Sequence, residues 1–226
     1  EGQTDLSMFQ GFFEKHSELD LETLCRAKNF SEFTEALEGT VYGKLLSQMQ
    51  EKGQTGLFDC ELKLDLFYFQ LLWKLRNKLL SKTERKILDD CFGSRLDLLN
   101  IQWICRARSF YRLSQAEIYA LLIPVHYRLR ADKVKLLVEA EDDAKFFAVL
   151  RETPYAKQEE LQTGQMPDIQ LLSNQMLNRI YGRTGHRYPH SPAVLDSYLY
   201  FKEQEMRKIV TARAELSISK LLTRRP

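Results

Sequence analysis

Apolar residues recur at steps of three and four along most of the chain. After Asp59, the residues Leu62, Leu66, Phe69, Trp73, Arg76 and Leu80 step along one face, the spacing of an amphipathic helix. Phe67, Tyr68, Phe69 and Trp73 make that helix apolar around most of its circumference. It is therefore expected in a helical core or at a subunit interface. No window shows the strict alternation of a half-buried strand. Asp59 is placed to cap the helix. Ser81-Lys82-Thr83-Glu84 and Ser114-Gln115-Ala116-Glu117 have the spacing of capping boxes, and the second helix must end near Pro124. Ser191-Pro192 puts a cap before a proline at the first helical position. From Ala193 to Arg225 neither Gly nor Pro interrupts 33 residues. That run could form one helix of roughly 50 Å at about 1.5 Å per residue. Its apolar stripe is Leu195, Leu199, Met206, Ile209, Leu216 and Leu221. Gly and Pro mark candidate stops at Gly39, Gly43, Gly53, Gly56, Gly93, Pro124, Pro154, 164–167 and 182–192. The pattern predicts an all-α chain.

Two segments repeat. Leu24-Cys25-Arg26-Ala27-Lys28-Asn29-Phe30 matches Ile104-Cys105-Arg106-Ala107-Arg108-Ser109-Phe110 at four of seven positions. Ile209-Val210-Thr211-Ala212-Arg213 is a weaker third copy. A second block, residues 33–44, matches 146–157 at five of twelve positions. Both blocks run in the same order, as one helical unit used more than once would place them. The expected division is residues 1–30 as the remnant of a first unit, 31–142 as a second, and 143–226 as a third with the long C-terminal helix. Arg106 and Arg108 are expected to lay their stems along neighbouring helices. Asp97 and Asn100 are expected to cap or cross-link helices.

The 226 residues are 44% hydrophobic and 28% charged. These values exclude a disordered chain, a collagen and a disulfide-stapled miniprotein. The net charge of +2 is smaller than nucleic-acid binders usually carry, so no nucleic-acid partner is expected. Charge is uneven along the chain. Residues 1–40 hold nine acids and three bases, whereas residues 201–226 hold seven bases and three acids. The longest uncharged runs, Ile118–Tyr127 and Ile169–Asn178, have ten residues each. A spanning helix needs about 20, so no direct membrane span is expected. The opening EGQTDLSMFQ has an acid where a basic export leader would begin, and it lacks an initiator Met, as a processed or shortened chain would. Cys25, Cys60, Cys91 and Cys105 form no CxxC pair and read as reduced, mostly buried thiols.

No catalytic motif survives inspection. Gly39-Thr40-Val41-Tyr42-Gly43-Lys44 is one residue too short for a phosphate loop and is followed by Leu45. His186 and His190 have ligand-like spacing, but Gly185 and Pro189 argue against a helix there, and no cysteine or paired acid is near. Asp89-Asp90 and Asp142-Asp143 read as capping or solvated acids. No enzyme activity, cofactor or metal is expected.

The segment from Arg95 to Arg108, RLDLLNIQWICRAR, resembles the Asp-x-x-Asn-Leu/Ile…Arg-x-Lys/Arg helix of the V-type ATPase C subunit of bacteria and archaea, equivalent to the eukaryotic d subunit. Residues 113–118 and 122–124 fit the same pattern. Phe201–Ile209, FKEQEMRKI, is similar to the family's Lys-x-Glu-x-Glu-Ile-Arg-Asn-Ile stretch, with Lys208 where that family usually has Asn. The resemblance makes Asp97, Asn100, Arg106, Arg108, Glu203, Glu205 and Arg207 family-signature positions. It implies part of a funnel-like helical array, not itself an enzyme, that couples the central stalk to the membrane rotor ring in ATP-linked ion transport. The partners would be other V-type ATPase subunits, and the location the cytoplasmic face of a membrane. Lys208, Arg224 and Arg225 are the candidate partner interface, since the tail is basic. The other reading of this pattern is a helical-repeat scaffold for another protein assembly. A helical hydrolase would need a metal or nucleophile cluster that the sequence does not offer.

Overall fold

The computed structural model describes Gly11, residues 19–155 and residues 168–222, with side chains to residue 214. Among the described residues every regular element is a helix. The chain divides into two compact units, residues 1–68 and 69–226.

In the first unit, α1 (Leu21–Arg26) starts where the Asp20 carboxylate accepts the Thr23 N–H at 3.1 Å. Helix α2 (Phe30–Glu35) is capped in the same way by Asn29, and α3 (Val41–Glu51) by Thr40. Each cap satisfies amide groups that the first helical turn leaves without partners. Leu37, Leu46 and Met49 form a small core, with Leu24, Phe30, Phe33, Leu45 and Leu64 packed against it. Gly43, a candidate stop, lies instead inside α3, where a Cβ would sit 2.3 Å from the Leu37 carbonyl oxygen. The first half of α4 (Leu57–Leu79) belongs to this unit. The helix begins two residues before Asp59, which therefore sits in the first turn rather than capping it. There its charge still suits the helix dipole.

The second unit is organised around α5 (Lys82–Ser109), a helix of 28 residues. The Ser81–Glu84 box opens it, with Ser81 N–H donating to Glu84 at 2.9 Å. Helix α6 (Gln115–Leu121) opens with the equivalent Ser114–Glu117 box and ends before Pro124. Then come α7 (Ala131–Val138), α8 (Asp143–Arg151), α9 (Ile169–Arg187) and α10 (Pro192–Leu222). Helix α5 packs against α6, α7, α9 and α10, while α7 packs on α8. Leu98, Ile101, Ile104, Ile118, Leu137, Phe146, Leu150, Tyr181 and Tyr200 build the core. Gly93 does not stop α5. The helix runs through it, and a Cβ there would lie 2.6 Å from the Tyr127 ring. Likewise α9 passes through Gly182 and Gly185, so His186 is helical and its ring bonds the Gly182 carbonyl at 2.7 Å.

The long helix α10 is present, but it turns a different face inward than its apolar stripe predicts. Ala193, Ser197 and Tyr200 are buried. Tyr200 stacks on Tyr181 of α9 at 4.1 Å, with the rings nearly parallel. Leu195, Leu199, Met206 and Ile209 are exposed instead, while Leu216 and Leu221 lie outside the described side chains. Ala193 and Ser197 are small enough to let α10 approach α9 closely, and the Ser197 hydroxyl donates to the Tyr181 carbonyl at 3.2 Å. The second half of α4 is also half-exposed rather than buried on several sides; Leu79 is exposed. Its Arg76 sits on the apolar face by pairing with Asp89 at 3.0 Å and stacking over Trp73 at 3.4 Å. The thiols are all free, but only Cys91 is buried and Cys25 is exposed. Helix α1, which carries Cys25, has no buried residue.

Candidate functional site

Two side chains of α5 hold a whole segment onto that helix. Asp97 is fully buried. Its carboxylate accepts the N–H groups of Tyr127, Arg128 and Leu129 at 3.1, 2.7 and 2.8 Å, and the Tyr155 hydroxyl at 2.7 Å. One turn on, Asn100 donates to the Ile123 carbonyl and accepts the Ile123 N–H, each at 2.9 Å. A buried carboxylate is costly unless its lone pairs are filled. Four donors fill them here, and the two side chains together hold the amides of Ile123, Tyr127, Arg128 and Leu129 in the irregular stretch 122–130, where Ile123, Val125 and Leu129 are buried. Burial pushes the Asp97 carboxyl above its ordinary value, and the four hydrogen bonds oppose the rise. Burial and the carboxylate also push the Tyr155 hydroxyl up. At the rim, Asp90 takes the Tyr127 hydroxyl at 2.8 Å and Arg128 at 2.6 Å, and the Tyr127 hydroxyl is pushed up to about 12.

A second polar cluster joins α5 to α10. Arg95 pairs with Glu203 at 2.7 Å, and Glu203 also takes Arg207 at 2.6 Å. Burial raises the Asp196 carboxyl against the pull of Arg95. Glu205 pairs with Lys202 on the surface at 2.7 Å. The signature positions of the tail therefore divide. Glu203 ties helices together, Arg207 pairs with it from the surface, and Glu205 pairs within its own helix. Lys208 is exposed, while Arg224 and Arg225 lie outside the described residues.

The two arginines of the repeated heptapeptide also part ways. Arg108 turns inward, donating to the Ala140 and Asp142 carbonyls with its guanidinium 5.4 Å from the centre of the Phe146 ring. Arg106 is exposed and reaches Gln170 at the start of α9 at 2.6 Å. Beyond it the helix ends in two exposed rings, Phe110 and Tyr111. Sequence reasoning does not single out those rings or Tyr155. The repeated spacing of the Thr-x-Tyr block marks Tyr155 as duplicated, not as a partner of Asp97.

Among the described residues no group of three or more His, Cys, Asp or Glu side chains gathers as a metal site. No described helix is long and apolar enough to cross a membrane. Among the described residues the arrangement supplies buried cross-links and exposed faces.

The family model described as ATP synthase (C/AC39) subunit matches residues 3–213. The A-type ATP synthase C subunit of Pyrococcus abyssi is 28% identical over 195 residues, covering 84% of this chain and 51% of the relative. The same A-type protein of Methanothermobacter thermautotrophicus is 28% identical over 204 residues, covering 86% and 52%. That of Thermococcus onnurineus is 28% identical over 199 residues, covering 84% and 51%. The chain spans about half the length of the curated relatives it matches. No solved structure gives a significant match.

Proposed function

This chain belongs to the ATP synthase (C/AC39) subunit family, and from that premise we propose that it is a non-catalytic part joining the central stalk to the membrane rotor ring of a V-type ATPase. The family match over residues 3–213 carries this reading. The geometry supports it in two ways. A torque-bearing part needs helices that do not slide, and the buried Asp97 and Asn100 bonds together with the Arg95–Glu203 pair lock α5 to its neighbours. It also needs faces for partners. Leu195, Leu199, Met206 and Ile209 leave α10 an uncovered apolar face beside the exposed Arg207 and Lys208. Such a face rimmed by polar residues is how a protein interface is built.

In this reading the chain sits at the cytoplasmic face as a peripheral part of the complex, with no cofactor of its own. The basic tail, Lys208 with Arg224 and Arg225, meets the stalk or the ring. The duplicated helical units act as rigid levers.

The test is recovery of the tagged protein from its own cells in mild detergent. Ring, stalk and catalytic-head subunits are expected together with it. An intact bait recovered without them would overturn the proposal and leave a helical scaffold for another assembly. Reversing charge at Lys208, Arg224 and Arg225 is expected to weaken that recovery most at low salt, where the charges are least screened.

A further inference from the structure

Phe110 and Tyr111 end α5 with relative exposures of 78% and 72%. Leaving two such rings in water forgoes the stabilisation that large apolar side chains ordinarily gain by burial. The fold does not require this of the sequence that places them there. Phe30 holds the matching position in the first copy of the heptapeptide, and it packs against the Leu37–Leu46–Met49 core. The backbone that carries the rings is also tied down. The Tyr111 N–H returns to the Arg106 carbonyl at 3.2 Å and the Leu113 N–H to the Ala107 carbonyl at 3.0 Å. Between them Arg112 is forced to φ 51°, a left-handed conformation rare for a side chain of its size. With Arg106, the two rings line an open recess of about 400 Å³.

The electrostatics of the recess are one-sided. Arg106 reaches only the neutral Gln170, and neither Arg106 nor Arg112 has a carboxylate within 4.0 Å among the described residues. The nearby acids are already engaged: Glu117 closes its capping box and Asp143 accepts the Ser109 hydroxyl.

We propose that Arg106, Phe110, Tyr111 and Arg112 form a docking knuckle for a helix of another subunit that presents an apolar side chain flanked by carboxylates. This rests on the reading of the chain as part of an ATP synthase. The aromatic pair fills the partner's apolar contact, and the two guanidinium groups fork onto its acids. Pre-set rings flanked by arginine are the composition in which binding energy concentrates at interfaces.

A photoreactive benzoylphenylalanine placed at Tyr111 in cells making the complex tests this directly. After irradiation of the purified complex, the adduct is expected on a peptide of another subunit with Asp or Glu within one helical turn of the attachment point. Adducts only on residues 156–167 of the same chain, only on a second copy, or only on a peptide without acids would overturn the knuckle, as would no protein adduct. A chain missing from the purified complex would instead sink the reading of it as an ATP synthase part. The second measurement is the rate at which the chain leaves the purified complex. Phe110→Ser with Tyr111→Ser is expected to speed departure about tenfold or more. Arg106→Gln with Arg112→Gln is expected to flatten its salt dependence. Unchanged rates in both pairs would overturn the proposal. The exposed positions keep the melting temperature of the isolated chain within the ordinary surface range, which separates lost docking from lost folding.

Discussion

Residues 29–44 and 142–155 make the same local structure for different ends. Asn29 and Asp142 each cap a helix three residues ahead, at 2.9 and 2.7 Å. Leu37 and Leu150 each bury a side chain and lend a carbonyl to a threonine. Thr40 and Thr153 hydroxyls donate to those carbonyls at 2.6 and 2.7 Å and accept the amides of Tyr42 and Tyr155 at 3.2 and 3.3 Å. After the shared turn the tyrosines diverge. Tyr42 meets the Phe67 ring edge-on at 5.9 Å, whereas Tyr155 is buried with its hydroxyl on Asp97. The first copy builds a small apolar core. The second adds a buried polar latch on a long helix. Local sequence sets the turn, and the environment sets what the turn is used for.

The largest effect expected from breaking this difference is at Asp97. Asp97→Ala strips four donors of their acceptor and should cost about 3–5 kcal/mol. Denaturant unfolding would measure it, and hydrogen exchange should show lost protection at the amides of Tyr127, Arg128 and Leu129. Tyr155→Phe should cost about 1–2 kcal/mol while Tyr42→Phe stays within about 0.5 kcal/mol. Equal costs would show that the two tyrosines play one role after all.

Glycine comes next. Gly93→Ala would ordinarily stabilise a helix by about 0.5–1 kcal/mol. Here the Tyr127 ring blocks it, and a net loss of about 1–3 kcal/mol is expected from overpacking. Gly43→Ala meets the Leu37 backbone and should lose as much, read as a fall in thermal midpoint. The shared turn itself is tested by Thr40→Val and Thr153→Val, each expected to cost about 1 kcal/mol. The buried Thr153 should lose the more of the two.

The smallest effect is a pH response. The hydrogen bonds from Ser81 and Ser114 hold Glu84 and Glu117 below their ordinary value of 4.5. A lowered carboxyl contributes stability that is present above 4.5 and lost as pH falls through the folded value. Buried Asp97 and Asp196 are raised, so their contribution runs the other way and is lost as pH rises. Melting curves of the parent and of Glu84→Gln with Glu117→Gln should therefore converge on acidification below pH 4.5. A constant gap between them would break the assignment.

The family-signature helix shows how far sequence reaches. Its capping box and the breakless run of α10 are legible because each depends on residues within a few positions. The segment that Asp97 grips is 30 to 58 residues away in the chain, and no spacing rule connects them. Gly93 reads as a stop for the same reason: the Tyr127 ring that makes it necessary is invisible to the local pattern. Helix α10 shows the opposite failure. Its apolar stripe is real, but among the described side chains the face through Ala193, Ser197 and Tyr200 is the one that packs.

The sequence by itself determined that the chain is helical, where α5, α6 and α10 begin, that two blocks repeat and which family the residues resemble. Caps, glycines and helical periodicity act over one or two turns, so a linear reading captures them. Only the tertiary structure decided that Phe30 is packed while Phe110 is exposed, that Arg108 turns inward while Arg106 faces out, and that Ala193, Ser197 and Tyr200 form the packed face of α10. Burial is a relation between distant residues, and identical heptapeptide positions take whatever neighbours the fold brings to them.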